Sequence, residues 1–402
     1  MPKVELWEKI IKQTNYFDLP VLFKNLLTKK LCSEDTIKKV FENISNNKDI
    51  EPNIRVFIEG GRQKFEYDRL VIDNPPYPDE ALESWSKRLF QEQSFGIILN
   101  KTERWNDELL KNVLEFILPL HNEFTIPEYS FELTLFIGNY LYTPLGVHVD
   151  GDYERSILFN LYGNKRIIYT WNPEKFRELT GSYQQYFYPE RIVNSTSKNY
   201  ELENNDIFIL PSKLYHLLSN HGFTVGMSIA IQKSTKKKII EESKKLYFKH
   251  FSDNIVNDIN IDIFKPNPSE RIDISEINDT VKDIDFKYAL NDFCLLRKSN
   301  LGFLESPFEN ITPVQFAEIS IVQIIFPFKI LCSKVDETLH IYCRGRKITV
   351  SYHREIEFMI ELLNKGNKYS LKELYSLNKG LSKEILIHLL KLFYKLRVLE
   401  VI

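Results

Sequence analysis

Gly146-Val147-His148-Val149-Asp150, Gly163-Asn164-Lys165 and Asp206-Ile207-Phe208-Ile209-Leu210-Pro211-Ser212-Lys213-Leu214-Tyr215-His216 decide how this 402-residue chain is read. In an extended strand, residues i and i+2 share a face, so His148 and Asp150 point one way and Val149 the other. His216 follows the apolar run Ile207–Leu210 and a Pro211-Ser212 bend, so it comes from a distant strand. Two imidazoles and one carboxylate can hold one face of a metal and leave the other positions open, the donor set of non-haem iron. Lys165 adds an ammonium group at a turn-to-strand junction, an anchor for an acidic co-substrate. His221 is the rival third ligand, but it sits beside Gly222 and reads as a loop tip.

Composition is that of an ordinary globular chain: 43% hydrophobic, 27% charged, net charge −2. That balance argues against a whole-chain preference for nucleic acid. Aromatics at 13% suit a β-rich core. Cys32, Cys294, Cys332 and Cys343 form no CxxC pair, which excludes a structural zinc or disulfide framework as the organising feature. The chain shows no signal-peptide core and no run of about 18 apolar residues, so no membrane span and a cytoplasmic location are expected.

Along the chain, residues 1–125 read as helices and strands in alternation. Ser33-Glu34-Asp35 starts a helix, Ile54–Glu59 is a strand, and Asn106–Leu118 is amphipathic. Residues 126–233 read as β, with strands at Phe131–Ile137, Leu145–Asp150, Ser156–Leu161, Lys165–Tyr169, Tyr200–Leu202, Asp206–Leu210 and Val225–Ile231. Many short strands with polar turns argue for a barrel or jelly roll. Residues 234–328 read as a helical linker, with an Asp/Asn-rich stretch from Ser252 to Asp283. Residues 329–402 read as a hairpin about Arg344-Gly345-Arg346, then helices and a closing strand, like a winged helix. The fold expected is β-rich α+β: a double-stranded β-helix core, N-terminal helices, a helical bridge and a winged-helix-like C-terminal domain.

On these motifs the chain resembles the JmjC-type 2-oxoglutarate oxygenases, and more closely their ribosomal-oxygenase-like branch. The resemblance implies Fe(II) held by His148, Asp150 and His216, and 2-oxoglutarate with its distal carboxylate on Lys165. It implies hydroxylation of a side chain of a protein or peptide, such as a ribosomal protein or a modified-peptide precursor. N-methyl demethylation by the same chemistry and a non-catalytic cupin-like binding role are the alternatives. The branch dimerises through the helical segment, which leaves room for a homodimer through residues 234–328. Two departures stand out: Asn205 replaces the usual Gly before Asp206, and Pro211-Ser212-Lys213-Leu214-Tyr215 replaces an aromatic-rich lead into the last His. Asn tolerates the left-handed turn conformation that Gly provides.

Arg155 is the alternative anchor for the co-substrate. Thr143, Tyr140 and Ser228 are candidates for hydroxyl contacts, or else barrel packing. Asp152, Tyr153 and Arg155 follow the metal motif on a loop that recognises substrate or is simply solvated. The run Tyr183–Tyr188 reads as a groove wall or as packing against the barrel. From Arg344 onward there are twelve Lys/Arg against six Glu, but they are spread over helix surfaces rather than gathered on one recognition helix. Protein docking is therefore favoured over nucleic acid.

Overall fold

The computed structural model describes residues 3–402 except positions 28, 62–63, 152, 196–197, 256–285 and 310–313. Asp152 and the expected Asp/Asn-rich linker from residue 256 on thus lie outside the described residues, while Ser252–Ile255 belong to a helix. The helices α1 (Lys3–Gln13), α2 (Glu34–Asn46), α3 (Phe65–Asp73), α4 (Leu82–Phe90) and α5 (Asp107–Ile117) precede the barrel. Their starts are chemically marked. Ser33 caps α2 by accepting from the Thr36 N–H at 3.0 Å, and Asn106 caps α5 by accepting from the Leu109 N–H at 2.9 Å.

Ten strands build two facing sheets. They are β1 (Val21–Phe23), β2 (Ile54–Ile58), β3 (Phe95–Asn100), β4 (Tyr129–Gly138), β5 (Glu154–Gly163), β6 (Arg166–Trp171), β7 (Lys198–Leu202), β8 (Ile207–Leu210), β9 (Tyr215–Asn220) and β10 (Thr224–Lys233). The large sheet has the order β1-β8-β5-β10-β4-β3-β2, so three strands from before residue 126 complete it. The small sheet is β7-β6-β9, and isolated bridges pair Tyr142 with Ser219 and His148 with His216 along its edge. This is a jelly-roll core with helices, an α+β fold.

Alternation on β10 explains the layering. Val225, Met227, Ile229 and Ile231 are buried against the N-terminal helices, among Trp7, Trp105, Phe116 and Phe124. Each such burial contributes about 1.5–3 kcal/mol. Gly226, Ser228, Ala230 and Gln232 face the other way, toward the small sheet. Leu158, Ile168, Phe208, Leu210 and Leu218 close the space between the sheets on one side.

Three sequence expectations need correction. Leu145–Asp150 is not a continuous strand: Gly146 has φ +65° and donates its N–H to Thr143 O at 2.8 Å, a turn that leaves only bridges at Val147 and His148. The segment Tyr215–Asn220, missing from the expected strands, is a full strand that carries His216. A helix, α6 (Pro173–Thr180), stands in the insertion after β6, capped by Asn172 and ended by Gly181 at φ +74°. Asn205 does take the left-handed conformation, with φ +71°.

After β10 come α7 (Lys236–Ile255), a helix over Phe286–Ser299, and a C-terminal region. That region holds the sheet β12 (Leu331–Val335), β13 (Thr338–Cys343), β14 (Arg346–Ser351). It also holds three helices and a small antiparallel sheet in which β11 (Ile321–Ile324) lies between β15 (Tyr369–Ser370) and β16 (Leu399–Val401). Arg344 (φ +49°) and Gly345 (φ +78°) make the turn of the β13–β14 hairpin. Much of the basic excess here is spent internally. Arg344 and Arg397 both pair with Asp107 at the start of α5, at 3.2 and 2.6 Å. Arg346 and Lys395 pair with Glu309 at 2.7 Å each. No described helix is long and apolar enough to cross a membrane.

Beneath β4, Glu103 is 1% exposed and accepts the Leu133 N–H at 3.0 Å. Burial pushes its carboxyl up to about 8 from an ordinary 4.5. Between those values the unfolded chain has lost a proton that the folded protein keeps, so this group's contribution is complete below about pH 4.5 and is lost as pH rises through 8. Glu103→Gln keeps the acceptor and removes the titration. Thermal melts across pH 4.5–8.5 should show the variant matching the parent at the acid end and exceeding it at the alkaline end. Parallel curves would refute this.

Candidate metal centre and its cavity

His148, Asp150 and His216 converge, each offering one donor atom, all within 4.8 Å of one another. Two segments far apart in sequence are clamped to do this. The His148 N–H donates to His216 O at 3.1 Å, and the His216 N–H donates to His148 O at 2.8 Å. Each ring is then oriented by the carbonyl two residues before it. His148 Nδ1 lies 3.0 Å from Gly146 O, and His216 Nδ1 lies 3.2 Å from Leu214 O. With Nδ1 as donor, each Nε2 keeps a free lone pair and faces Asp150 Oδ1, at 3.8 and 3.9 Å. Burial first, then the neighbouring His216, pushes the His148 imidazole below its ordinary range, so it stays neutral and ready to ligate. His221 is exposed in the turn between β9 and β10, away from this cluster.

The triad opens into a cavity of about 450 Å³ between the sheets. Lys165, the expected anchor, is not in it. Its side chain is about half exposed and pairs with Glu201 of β7 at 2.9 Å. Strand parity gives the reason. On β6, Arg166, Ile168 and Thr170 stand opposite Asn220, Leu218 and His216 of β9 and share their inward face. Lys165 falls on the opposite parity, with Ile167, whose partner is Glu201. Arg166 is therefore the inward cation. It is 1% exposed, and no well-formed hydrogen bond reaches any of its three guanidinium nitrogens among the described residues. Burial works against its charge, the Tyr140 phenol supports it, and the Phe136 ring lies 5.5 Å from the guanidinium carbon. A guanidinium does not deprotonate in proteins, so this is a buried charge without an anionic partner. Four residues separate the Asn220 and His216 rows, about 13 Å along the strand.

The remaining candidates divide. Thr143 and Ser228 line the cavity, Thr143 fixed by its N–H to Leu218 O at 2.8 Å. Tyr140 is buried behind Arg166 instead, its ring resting on the bare backbones of Gly96 and Gly138. Arg155 does not line the cavity: it has the outward parity of β5 and pairs with Asp18 at 2.8 Å. Tyr153 is exposed. Tyr183 and Gln185 form part of the cavity wall, held by Gln185 Nε2 to Leu145 O and by the Val147–Tyr186 bridge, while Phe187 and Tyr188 point to solvent. Sequence reasoning missed Arg55, Asn100, Glu132, Glu154 and Gln232, which line the far end. The one signal available was period 2 at Glu132, which interrupts the otherwise apolar run Phe131–Ile137; Glu154 and Gln232 stand at strand ends, where polar residues are ordinary.

No family model matches this chain, and no curated protein matches it. Among solved structures it is similar to the ribosomal oxygenase YcfD from Escherichia coli. With the complex of YcfD with cobalt and succinic acid it shares 10% identity at a TM-score of 0.53, covering 98% of both chains. With the complex of YcfD with cobalt and 2-oxoglutarate the identity is 12%, the TM-score 0.53 and the coverage again 98% of both. At that identity the likeness speaks for the fold.

Removing one donor should cripple the metal centre. His148→Ala, Asp150→Ala or His216→Ala is expected to weaken Co(II) binding well beyond the roughly 10–100-fold typical of losing an outer-shell partner, while His221→Ala binds normally. Visible absorption of Co(II)-titrated protein checks this, and tight binding by Asp150→Ala would refute the centre.

Proposed function

We propose that this protein is an Fe(II)- and 2-oxoglutarate-dependent oxygenase that hydroxylates a side chain of a protein or peptide. The observation that carries the reading is one cavity holding both the His148–Asp150–His216 triad and the buried Arg166, which has no carboxylate partner among the described residues. The donor set fits iron(II), and the orphaned guanidinium fits a carboxylate. When bound, the iron and 2-oxoglutarate supply oxidation of an unactivated C–H bond by dioxygen.

The chain's own residues have assignable tasks. The backbone clamp between His148 and His216 fixes the two imidazoles before any ligand arrives, and Asp150 completes one face. Arg166 binds the distal carboxylate of 2-oxoglutarate and sets its distance from the triad. Thr143 and Ser228 offer hydroxyl groups between the two. Leu158 and Leu218 wall off water, which strengthens the Arg166 contact. Tyr183 and Gln185 limit entry from the outside. The likeness to YcfD, which its structures describe as a ribosomal oxygenase, supports a ribosomal protein as substrate, with a modified-peptide precursor as the other protein or peptide class. Among the described residues no other three ligand-type side chains lie close enough together to hold a metal. We assign docking and assembly, as a homodimer, to the regions after residue 233.

The test is 2-oxoglutarate turnover to succinate, with mass spectrometry for a gain of one oxygen in exposed peptides. Formaldehyde release would instead mark a demethylase. Arg166→Ala should raise the 2-oxoglutarate requirement by about one to two orders of magnitude, the worth of a charge-assisted contact of roughly 1.5–3 kcal/mol. Lys165→Ala should not. Gly226→Ala should mimic Arg166→Ala, because a Cβ there falls onto Arg166 Nη1 and Cζ. A normal 2-oxoglutarate requirement in both Arg166→Ala and Gly226→Ala would remove Arg166 from the role.

A further inference from the structure

We infer that Tyr140 is the positioning residue of Arg166: its phenol holds the inward guanidinium in place while leaving the nitrogens' hydrogen bonds to the co-substrate carboxylate. This rests on the oxygenase reading and adds to it a residue that does not touch the ligand.

The backbone dictates where the Tyr140 ring goes. Gly96 of β3 and Gly138 of β4 are direct partners across the two strands. A Cβ on Gly138 would come within 2.7 Å of the Tyr140 ring, and a Cβ on Gly96 within 3.0 Å. Two bare backbones side by side therefore form a slot that one aromatic ring fills. The chain is pinned on both sides of it. The Asn139 N–H donates to Phe95 O at 3.2 Å, and Asn139 Oδ1 accepts the Phe95 N–H at 2.7 Å. Past Tyr140, Ser219 Oγ donates to Leu141 O at 2.5 Å and the Thr143 N–H donates to Leu218 O at 2.8 Å. Tyr140 thus crosses from the large sheet to β9 of the small one, is buried, and does not line the cavity.

Arg166 needs such a support, because a long side chain keeps one rotamer only where its surroundings hold it. Beneath it lies Gly226, whose absent Cβ would fall 1.8 Å from Nη1, and the Phe136 ring lies 5.5 Å from the guanidinium carbon. Both are apolar. Asn220, its direct partner on β9, leaves Oδ1 without a hydrogen bond among the described residues, so it does not hold the guanidinium. The Tyr140 phenol is placed to support the charge, and it does so without a well-formed hydrogen bond to any of the three nitrogens. That looseness suits an anchor. A carboxylate in the phenol's place would form a bidentate pair with the arginine and compete with the ligand. A neutral hydroxyl steadies the group and leaves its charge to be met by the co-substrate.

The experiment measures binding of 2-oxoglutarate to the Co(II)-loaded full chain by visible absorption, beside binding of 2-oxopentanoate, which has the same carbon chain without the distal carboxylate. Tyr140→Phe keeps the ring in its slot and removes only the hydroxyl. It should weaken 2-oxoglutarate about three- to tenfold, the worth of one neutral hydrogen bond, and leave 2-oxopentanoate unchanged. Combined with Arg166→Ala it should add nothing further. In turnover with Fe(II), the KM for 2-oxoglutarate should rise while kcat at saturation holds. Gly96→Ala crowds the ring but retains the hydroxyl; it is the second variant should the first fold poorly, and should shift affinity in the same direction. Lys165→Ala is the surface control. Unchanged 2-oxoglutarate affinity in folded Tyr140→Phe, or in Gly96→Ala where the first does not fold, overturns the positioning role. So does equal weakening of both acids, which would mark a merely structural residue. Normal 2-oxoglutarate binding by Arg166→Ala overturns the anchor and the positioning role together, and binding of neither acid by the parent protein overturns the oxygenase reading itself.

Discussion

Two backbone hydrogen bonds between His148 and His216 hold the centre of this molecule together. They join a turn-rich segment to the start of β9 and leave both imidazoles no freedom except rotation about the side chain. The carbonyls of Gly146 and Leu214 then remove that freedom as well. A ligand pair built this way loses little entropy on taking up a metal. The remaining architecture keeps the clamp in place. β6 pairs with β9 on one side, and the Val147–Tyr186 bridge secures the other.

The large sheet serves a different need. Its far face is apolar and is covered by helices that begin before residue 126, so the sheet cannot stand without them. Its near face is polar for an interior surface, with Arg55, Asn100, Glu132, Thr134, Glu154, Ser156, Ser228 and Gln232. Such a face costs desolvation free energy and is stable only because cross-strand contacts such as Asn100–Glu132 and Glu154–Gln232 satisfy part of it. The Asp107–Arg344–Arg397 node ties the start of α5 to the C-terminal region through a buried arginine.

Much of this was legible from local chemistry. Ser33 and Asn106 announce their helices, and the apolar alternation of Val225–Ile231 announces a strand with one buried face. The HxD triplet and the later His were readable because metal ligation demands particular side chains. The inward cation was not, because it depends on which of two adjacent basic residues faces the cavity. A shift of one residue along a strand exchanges its faces, and the turn at Gly163-Asn164 carries no mark that fixes where β6 begins. Leu145–Asp150 misled for a related reason: apolar residues promise a strand, but Pro144 and Gly146 bend the chain before pairing can extend. The acids at 132 and 154 escaped notice because a lone Glu in a strand usually faces water, and only the assembled sheet shows these two turned inward.

Gly226 and Arg166 occupy one shared volume. The glycine is empty space that the arginine fills, so neither position can change size independently. A chain with a shorter cation at 166 would have room for a methyl group at 226. A chain with any side chain at 226 would have to give up arginine at 166. Two sites on different sheets, remote in sequence, are therefore coupled in size, and the inward cation keeps its place as much through the missing side chain as through the one present.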